Sequence, residues 1–516
     1  SSKIKVIPND KLVTGPVYPV IADVPLPIVL PFGFFPNKKT KASGILFPFF
    51  GQAADRGFFL RDLGYYFAIS DQFDLQLRSD VFTRGGFRIQ AIPRYVKRYR
   101  YSGELDIQFS RQSFNERTDP DFSRTDNFLL NWRHRQTISP TANFNGNVSA
   151  GTSSFLSQNS YAAQDLIQNR LNSSVSFSKT FPGSPWSFTL GLTHNQDLVN
   201  NRINLTVPNI TLTRNRTFPF RRRNAVGASK WYEQIGVTYN MNLRNQIDIA
   251  DTLLFTAAAL DSFQNGINHN IGVATSIKIL KYLNLNPSIR YNEYWYLRET
   301  EKTYVLNVTD SSVTDQVETN RVNNFITGRD FSFNVGLNTR LYGVLQTKSK
   351  SRAAFRHTLI PTLSYSYRPD FSTDFWGFYR EVQSDTTGET QRYSRFEGGI
   401  LGGPPSGQQQ SLSFNLSNLL EMKYIPKSER ELGQAADTSQ TDSDAAALPD
   451  SDKPEFRYLN LIDNFGLATS YNFAAERFRL APLSTFVRAN ILQQLNVNLN
   501  MTWDPYLLEE NESGNL

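Results

Sequence analysis

The sequence predicts an all-β protein dominated by a large antiparallel transmembrane β-barrel. Three observations predict it. Apolar and polar residues alternate with a period of two over long stretches, as in Leu105-Asp106-Ile107-Gln108-Phe109-Ser110, Leu412-Ser413-Phe414-Asn415-Leu416-Ser417 and Leu495-Asn496-Val497-Asn498-Leu499-Asn500-Met501. That period turns one face of a strand apolar and the other polar, whereas a helix repeats near 3.6. The alternating segments run about 9 to 14 residues, the length of a tilted membrane strand and longer than an ordinary soluble one. Roughly 19 of them follow one another from Gly44 onward, and their links alternate in length, as outer-membrane barrels do with long loops on one side and tight turns on the other.

The long links fall near 113-124, 154-168, 247-266, 298-325 and 369-409. The short ones fall at Ser70-Asp71, Ser139-Pro140, Pro182-Gly183-Ser184-Pro185 and Lys281-Tyr282. Two links in short positions, near 215-230 and 421-458, are long; either the strand register slips there or those connections are long in fact. The stretch 434-455 is Ala, Asp, Ser, Thr and Gln with almost no apolar anchor, a composition that predicts a disordered loop. The stretch 369-409, rich in Gly, Pro and aromatics, is long enough to fold over a barrel mouth or to remain an open loop.

Composition agrees. No run of about 18 apolar residues exists, so a helical membrane protein is excluded. Mean hydropathy is −0.42. A barrel tolerates that value because lipid-facing and water-facing residues average out. The 39 Phe and 23 Tyr fit the aromatic girdles of such a barrel. With no Cys, a disulfide framework, a cysteine zinc site and a thiol nucleophile are all excluded. The net charge of +7 suits a partner bearing phosphates and is weak support for nucleic acid, which is not expected as a partner.

Residues 1-33 differ from the rest. Val17-Tyr18-Pro19-Val20-Ile21-Ala22-Asp23-Val24-Pro25-Leu26-Pro27 is apolar on both parities and dense in proline. It reads as short, doubly buried rungs closing a β-jelly-roll, with the barrel occupying 34-516. Neither end resembles a natural terminus: the start lacks the regions of a signal peptide, and Glu512-Ser513-Gly514-Asn515-Leu516 is not strand-like.

At the junction the chain resembles a known family. Pro31-Phe32-Gly33-Phe34-Phe35-Pro36-Asn37-Lys38-Lys39 followed by Ser43-Gly44-Ile45-Leu46-Phe47-Pro48 is similar to the jelly-roll-to-barrel junction of the LptD family of lipopolysaccharide-assembly outer-membrane proteins, also called organic solvent tolerance proteins. Arg56-Gly57-Phe58, Phe82-Thr83-Arg84-Gly85-Gly86, Arg356-His357-Thr358-Leu359-Ile360-Pro361 and Leu461-Ile462-Asp463-Asn464 continue the match less specifically. The resemblance implies a barrel of about 26 strands, of which about 19 are here, in the cell outer membrane with its N-terminal part in the periplasm. It implies lipopolysaccharide as cargo, a periplasmic bridge of Lpt proteins meeting the jelly-roll, a plug lipoprotein of the LptE type, and the surrounding outer-membrane lipids as partners. Glycan would cross through the lumen while acyl chains leave through a lateral gate. Pro36 and Pro48 fall where that family has its gate prolines; proline weakens a seam because it lacks the N–H for a ladder bond. The plainer reading is that Pro36 ends a loop and Pro48 bends a strand. The family's closing strands and its disulfide cysteines have no counterpart in this sequence.

Chemistry of other kinds is not legible. His134, His194, His269 and His357 stand on different strands without metal-ligand spacing, and no phosphate-cradling glycine loop opens a helix. No enzyme activity and no cofactor are expected. Arg221, Arg222 and Arg223 with Lys230 are candidates for contacts with lipid phosphates or a partner, a solvated basic loop being the plain alternative; Arg340 is a candidate lumen cation. The competing function is an outer-membrane channel or nutrient-transporter barrel. A soluble β-solenoid would show a short fixed repeat, and none is present.

Overall fold

The computed structural model describes residues 3–506 except 9–10, 19, 22–23, 26–28, 30, 37–40, 54–55, 115–117, 119, 160–169, 225–226, 255, 310–311, 348–352, 425–456 and 492–494. The stretch 434-455 therefore lies outside the described residues.

The N-terminal stretch forms a three-stranded antiparallel sheet in which Lys11–Thr14 is flanked by Ile4–Ile7 and Gly33–Pro36. Pro36 pairs with Lys11 in this sheet. That corrects the boundary drawn at residue 33: Gly33–Pro36 belongs with the N-terminal sheet, and barrel strands begin at Gly44–Leu46. Proline is tolerated there because the strand is an edge with no ladder on its outer side. Within the proline-dense stretch Tyr18 and Val29 are exposed rather than doubly buried, and Ile4, Val6, Phe34 and Phe35 beside it are exposed too.

From Gly44 onward, 22 strands follow one another in the hydrogen-bonded order of an antiparallel β-barrel. Three breaks fall within a single stave. Gly44–Leu46 and Phe49–Ala53 both ladder onto Gly57–Ser70. Gln264–Ala274 and Ile277–Ile279 share Leu283–Thr309, and Ser312–Asn338 and Leu341–Gln346 share Ala354–Arg368. The 22 strands thus make 19 staves, the number read from the alternation.

The chain divides into two compact units, residues 1–212 with 242–266, and residues 213–241 with 267–516. In the first, the ladder register sorts side chains by face. Leu77, Ala91 and Ile107 stand directly opposite one another, and Ile107 faces Leu130; the alternate row joins Asp74, Arg94, Glu104, Arg133, Asn147 and Ser174. The apolar face is uncovered by protein: Ile45, Phe47, Phe50, Ile69, Ile89, Phe128 and Ile138 are all exposed. The polar face carries the burial, with Asp80, Gln108, Ser110, Gln112 and Asn127 at 8% exposure or less. This inverts the arrangement of a soluble protein and suits a sheet whose apolar side meets lipid. Near the short links 98–100 and 140–141, Tyr95, Trp132, His134 and Phe144 form an aromatic cluster. Trp132 Nε1 donates to the Tyr95 hydroxyl at 3.0 Å, which donates in turn to His134 Nδ1 at 2.7 Å. Amphipathic rings of this kind settle at a membrane–water interface.

Buried apolar clusters occur where long links fold back onto the sheet. In the first unit, a short helix Phe155–Asn159 packs Phe155 and Leu156 on Leu129 and Leu171. Its Asn159 Oδ1 accepts from Ser110 Oγ at 2.6 Å and Gln112 Nε2 at 2.8 Å. A second helix, Ala257–Ser262 in the link 251–263, packs Ala259 on Ile247 and Ile249. The even-position link 218–235 is long in fact, so the register did not slip there. The expected loop 298-325 is a correction. Both strands run on as a ladder from Arg298↔Asn323 to Thr309↔Ser312, past a bulge at Tyr296/Arg298. Thr, Glu, Val and Tyr alternate there without a membrane's apolar rhythm, so the extension reads as loop although it pairs as strand.

Gly64 tests how tightly the ladder is set. A Cβ there would lie 2.2 Å from the carbonyl oxygen of Leu77, whereas at Gly103 it would meet the Tyr95 ring, a side chain able to move. Gly64→Val is expected to cost about 2 kcal/mol or more and Gly103→Val less. Comparing the temperature at which each variant loses heat-modifiable gel migration checks the order.

Candidate functional site

Two strands set the start of the barrel sheet. Gly44–Leu46 pairs through Leu46↔Gly64 and Phe49–Ala53 resumes at Phe49↔Arg61 in the same register, leaving Phe47 and Pro48 without ladder partners. Proline's missing N–H accounts for part of that break. The facing strand is distorted at the same level. Asp62 has φ +57°, and its strand shifts register against the next between Leu60 and Leu63. Asp62 N–H donates to Asp80 Oδ1 at 2.9 Å, and the Asp62 carboxylate lies 3.4 Å from Arg78 and 3.8 Å from Arg88. The first stave is therefore weakly laddered at mid-height, with Phe47 and Phe50 86% exposed beside the break. Pro36 is not in this stave.

The polar row of the first unit opens into a cleft of about 780 Å³. Lys41 pairs with Asp74, and Arg94 Nε with Glu104 Oε2 at 2.6 Å. Arg133 and Arg135, two residues apart on the same polar face and both exposed, have no ionic partner among the described residues. Four cations and two carboxylates line the cleft beside Asn145, Asn147 and Ser174. Such a site suits a phosphorylated, hydroxyl-rich ligand, because guanidinium groups hold phosphate oxygens in paired, charge-assisted hydrogen bonds. The sequence reading missed this pair. The available signal was Arg-x-Arg on the polar parity of a strand, but which strands flank it is set by ladder order.

The basic link is less open than its sequence implies. Arg222 pairs with Glu233, a carboxylate buried in the turn Trp231–Gln234, whose other oxygen accepts from the Lys230 backbone N–H at 3.0 Å. Hydrogen bonding to Arg222 holds the Glu233 carboxyl below the usual range. Arg221 lies over the Phe218 ring at 4.4 Å and Lys230 over Tyr232 at 5.9 Å, while Arg223 is exposed. Arg222 thus shapes the link, and Arg221, Arg223 and Lys230 present its charge. Arg340 is exposed in the break between Ser312–Asn338 and Leu341–Gln346.

In the second unit the link 369–408 is a folded cap. It contains its own hairpin, Tyr379–Gln383 with Thr390–Ser394, and buries Phe371 completely against Phe331 and Trp376. Phe378 and Phe396 pack on Tyr296 and Ile326, which stand opposite each other in the long hairpin. Buried Glu299 accepts from Arg395 at 2.7 Å and from Asn324 at 2.9 Å, and Arg380 lies 3.5 Å away. The open-loop alternative for this stretch is thereby set aside. Asp370 ties the neck of the cap: its Oδ1 accepts from Ser372 N and Oγ at 2.8 and 2.7 Å and from Gly407 N at 2.9 Å.

These features define a class: a membrane β-barrel with an uncovered apolar face, a polar face lined by ionic rows and infolded links, and no helix long and apolar enough to cross a membrane among the described residues. The family model described as LptD protein matches residues 12–506. The chain belongs to the LptD family, outer-membrane β-barrels of lipopolysaccharide transport. No curated protein matches it. Among solved structures, the chain is similar to a double mutant of the Serratia marcescens hemophore receptor HasR in complex with its hemophore HasA and heme, at 9% identity and TM-score 0.24, covering 89% of this chain and 73% of that one. It is also similar to the Escherichia coli outer membrane transporter YddB, at 10% identity and TM-score 0.22, covering 85% and 72%.

The Asp370 carboxyl is opposed by burial, which favours its neutral form, but its hydrogen bonds win and hold it below the ordinary value. A depressed carboxyl contributes stability that is fully present above its unfolded pKa, about 3.9, and lost as pH falls through the folded value. The cap neck is therefore expected to be closed at pH 6 and to open only below about pH 4. Amide hydrogen exchange at Gly407, compared between pH 6 and pH 3 after correction for intrinsic rates, checks this; Asp370→Asn should be open at both.

Proposed function

We propose that this protein translocates lipopolysaccharide and inserts it into the outer leaflet of the outer membrane. The observation that carries the reading is the juxtaposition, within the first unit, of an uncovered apolar face at an interrupted first stave and a polar row whose Arg133 and Arg135 have no ionic partner among the described residues. A lipid with a phosphorylated glycan head needs two media at once. Sugars and phosphates follow the polar face, where Arg133 and Arg135 meet phosphate, while acyl chains lie against the apolar face and leave sideways. Moving such a headgroup through hydrocarbon would require stripping its water, a cost that a laterally opening seam avoids.

The gate role goes to Pro48, whose break leaves the first stave with fewer ladder bonds to separate. Pro36 acts beside it, ending the edge strand that joins the small sheet to the barrel. That sheet, with its open edge and exposed Ile4, Val6, Phe34 and Phe35, suits the end of a periplasmic jelly-roll that continues into a bridge of Lpt proteins. A plug lipoprotein of the LptE type would meet the polar face, and Arg221, Arg223 and Lys230 would meet lipid phosphates or such a partner. The work is binding and release, without covalent chemistry or a cofactor.

Depleting the full-length protein is expected to lower lipopolysaccharide at the cell surface. Unchanged surface lipopolysaccharide with altered uptake of small solutes would identify a channel instead. Replacing Arg133 and Arg135 together by Gln is expected to weaken binding of a diphosphorylated lipid A headgroup by roughly tenfold and to reduce its salt dependence, as the loss of charge-assisted hydrogen bonds requires. Titration calorimetry at two salt concentrations measures both. Pro48→Ala restores an N–H to the seam and is expected to slow surface delivery while leaving heat-modifiable folding intact. A wild-type delivery rate in Pro48→Ala would remove Pro48 from the gate.

A further inference from the structure

In the second unit the apolar face carries a dent of about 790 Å³ between Gly343, Leu345, Phe355, Leu420, Ile462 and Phe465. The register shows why it exists. Gly343, His357, Leu420 and Ile462 stand in one cross-strand row, and Gly343 contributes no side chain to it. At Leu420 the register of Gln409–Tyr424 against Arg457–Asn472 shifts twice, which spreads the row.

At four other stave glycines a neighbouring ring fills the gap that the missing side chain leaves. A Cβ at Gly51 would meet Phe59 at 2.5 Å, at Gly103 Tyr95 at 2.3 Å, at Gly146 Trp132 at 2.7 Å, and at Gly466 Phe486 at 2.0 Å. At Gly343 the nearest atoms, on His357, stand 4.0 Å away. The gap at Gly343 is thus left open, and beside it Val344 and Leu345 are 70% and 68% exposed. The floor holds two polar side chains on an otherwise apolar face. His357 Nε2 donates to Asn418 Oδ1 at 3.3 Å, and Asn418 Nδ2 donates to the Phe465 carbonyl at 3.0 Å. Polar residues turned toward lipid are costly in mid-membrane and tolerated near its interface.

We propose that this dent is a binding slot for one acyl chain of a glycerophospholipid from the leaflet on the short-link side. The occupant must be apolar and flexible, because the slot lies on the face that lipid covers and a void there forfeits dispersion contacts. Its size falls within the range of ligand pockets. Its depth selects the leaflet. His357 lies four residues beyond Ala353, at the edge of the link 347–353, a distance of about 13 Å along the strand. That link belongs to the short set, opposite the long links, and outer-membrane barrels carry their short turns on the periplasmic side. There the leaflet is phospholipid, and the His357–Asn418 pair sits near the level of its ester groups.

The test reconstitutes the full-length protein in phosphatidylethanolamine and phosphatidylglycerol vesicles carrying a trace of phosphatidylethanolamine with a photoactivatable diazirine on its acyl chain. Adducts are mapped by mass spectrometry. Labelling of 343–345 and 419–420 is expected to exceed that of Leu363 and Phe414, on the same face, severalfold. Gly343→Phe, which fills the slot, should bring it down to their level while gel migration still shows a folded barrel. If Gly343→Phe does not fold, Leu345→Trp blocks the rim instead. Uniform labelling along the face overturns the slot, and heavier labelling by a diazirine lipid A than by phospholipid overturns the occupant. Surface lipopolysaccharide is read separately, so loss of the transport reading with retained labelling leaves the slot standing.

Discussion

Everything in this protein follows from the need to satisfy backbone N–H and C=O groups where no water can reach them. A continuous ladder does so strand by strand, and it leaves side chains to be sorted only by parity. That sorting explains why mean hydropathy is below zero in a protein that lives in lipid, and why the apolar residues are the exposed ones. It also explains where burial occurs. The most fully enclosed aromatics, Phe371 and Phe155, lie in links that fold back, Phe155 packing on Leu129 and Phe371 on Phe331 and Trp376.

The same constraint makes any departure from the ladder informative. Along the first stave the ladder lapses at Phe47 and Pro48, and across from them Asp62 adopts a positive φ held by Asp80, Arg78 and Arg88. Asp80, Arg78 and Arg88 hold the Asp62 bulge, which shifts the register of Gly57–Ser70 against Phe73–Phe82. Among the described residues no cluster of His, Asp and Glu is arranged to hold a metal ion.

Much of the architecture was legible because parity is written into the residues. The 19 staves and the alternation of short and long links follow from counting periods, whereas the connection at 218–235 was settled as long only by its flanking strands. The remainder depended on partners. Pro36 reads as barrel until Lys11 is found opposite it. Residues 298–309 read as loop because Tyr304, Val305, Leu306 and Val308 fall on both parities amid charged residues and break the alternation, yet they pair residue for residue with 312–323. Arg222 belongs to the basic run by sequence and to Glu233 by structure. Arg133 and Arg135 gain their meaning from flanking strands, and the dent at Gly343 from the absence of a neighbouring ring, neither of which a single strand's sequence carries.

The long hairpin has a further consequence. Leu283–Thr309 and Ser312–Asn338 are 27 residues each, about 90 Å along the strand, whereas a crossing takes only 9 to 11. More than half of each strand therefore stands clear of the bilayer, on the side of the folded cap that packs against its lower part.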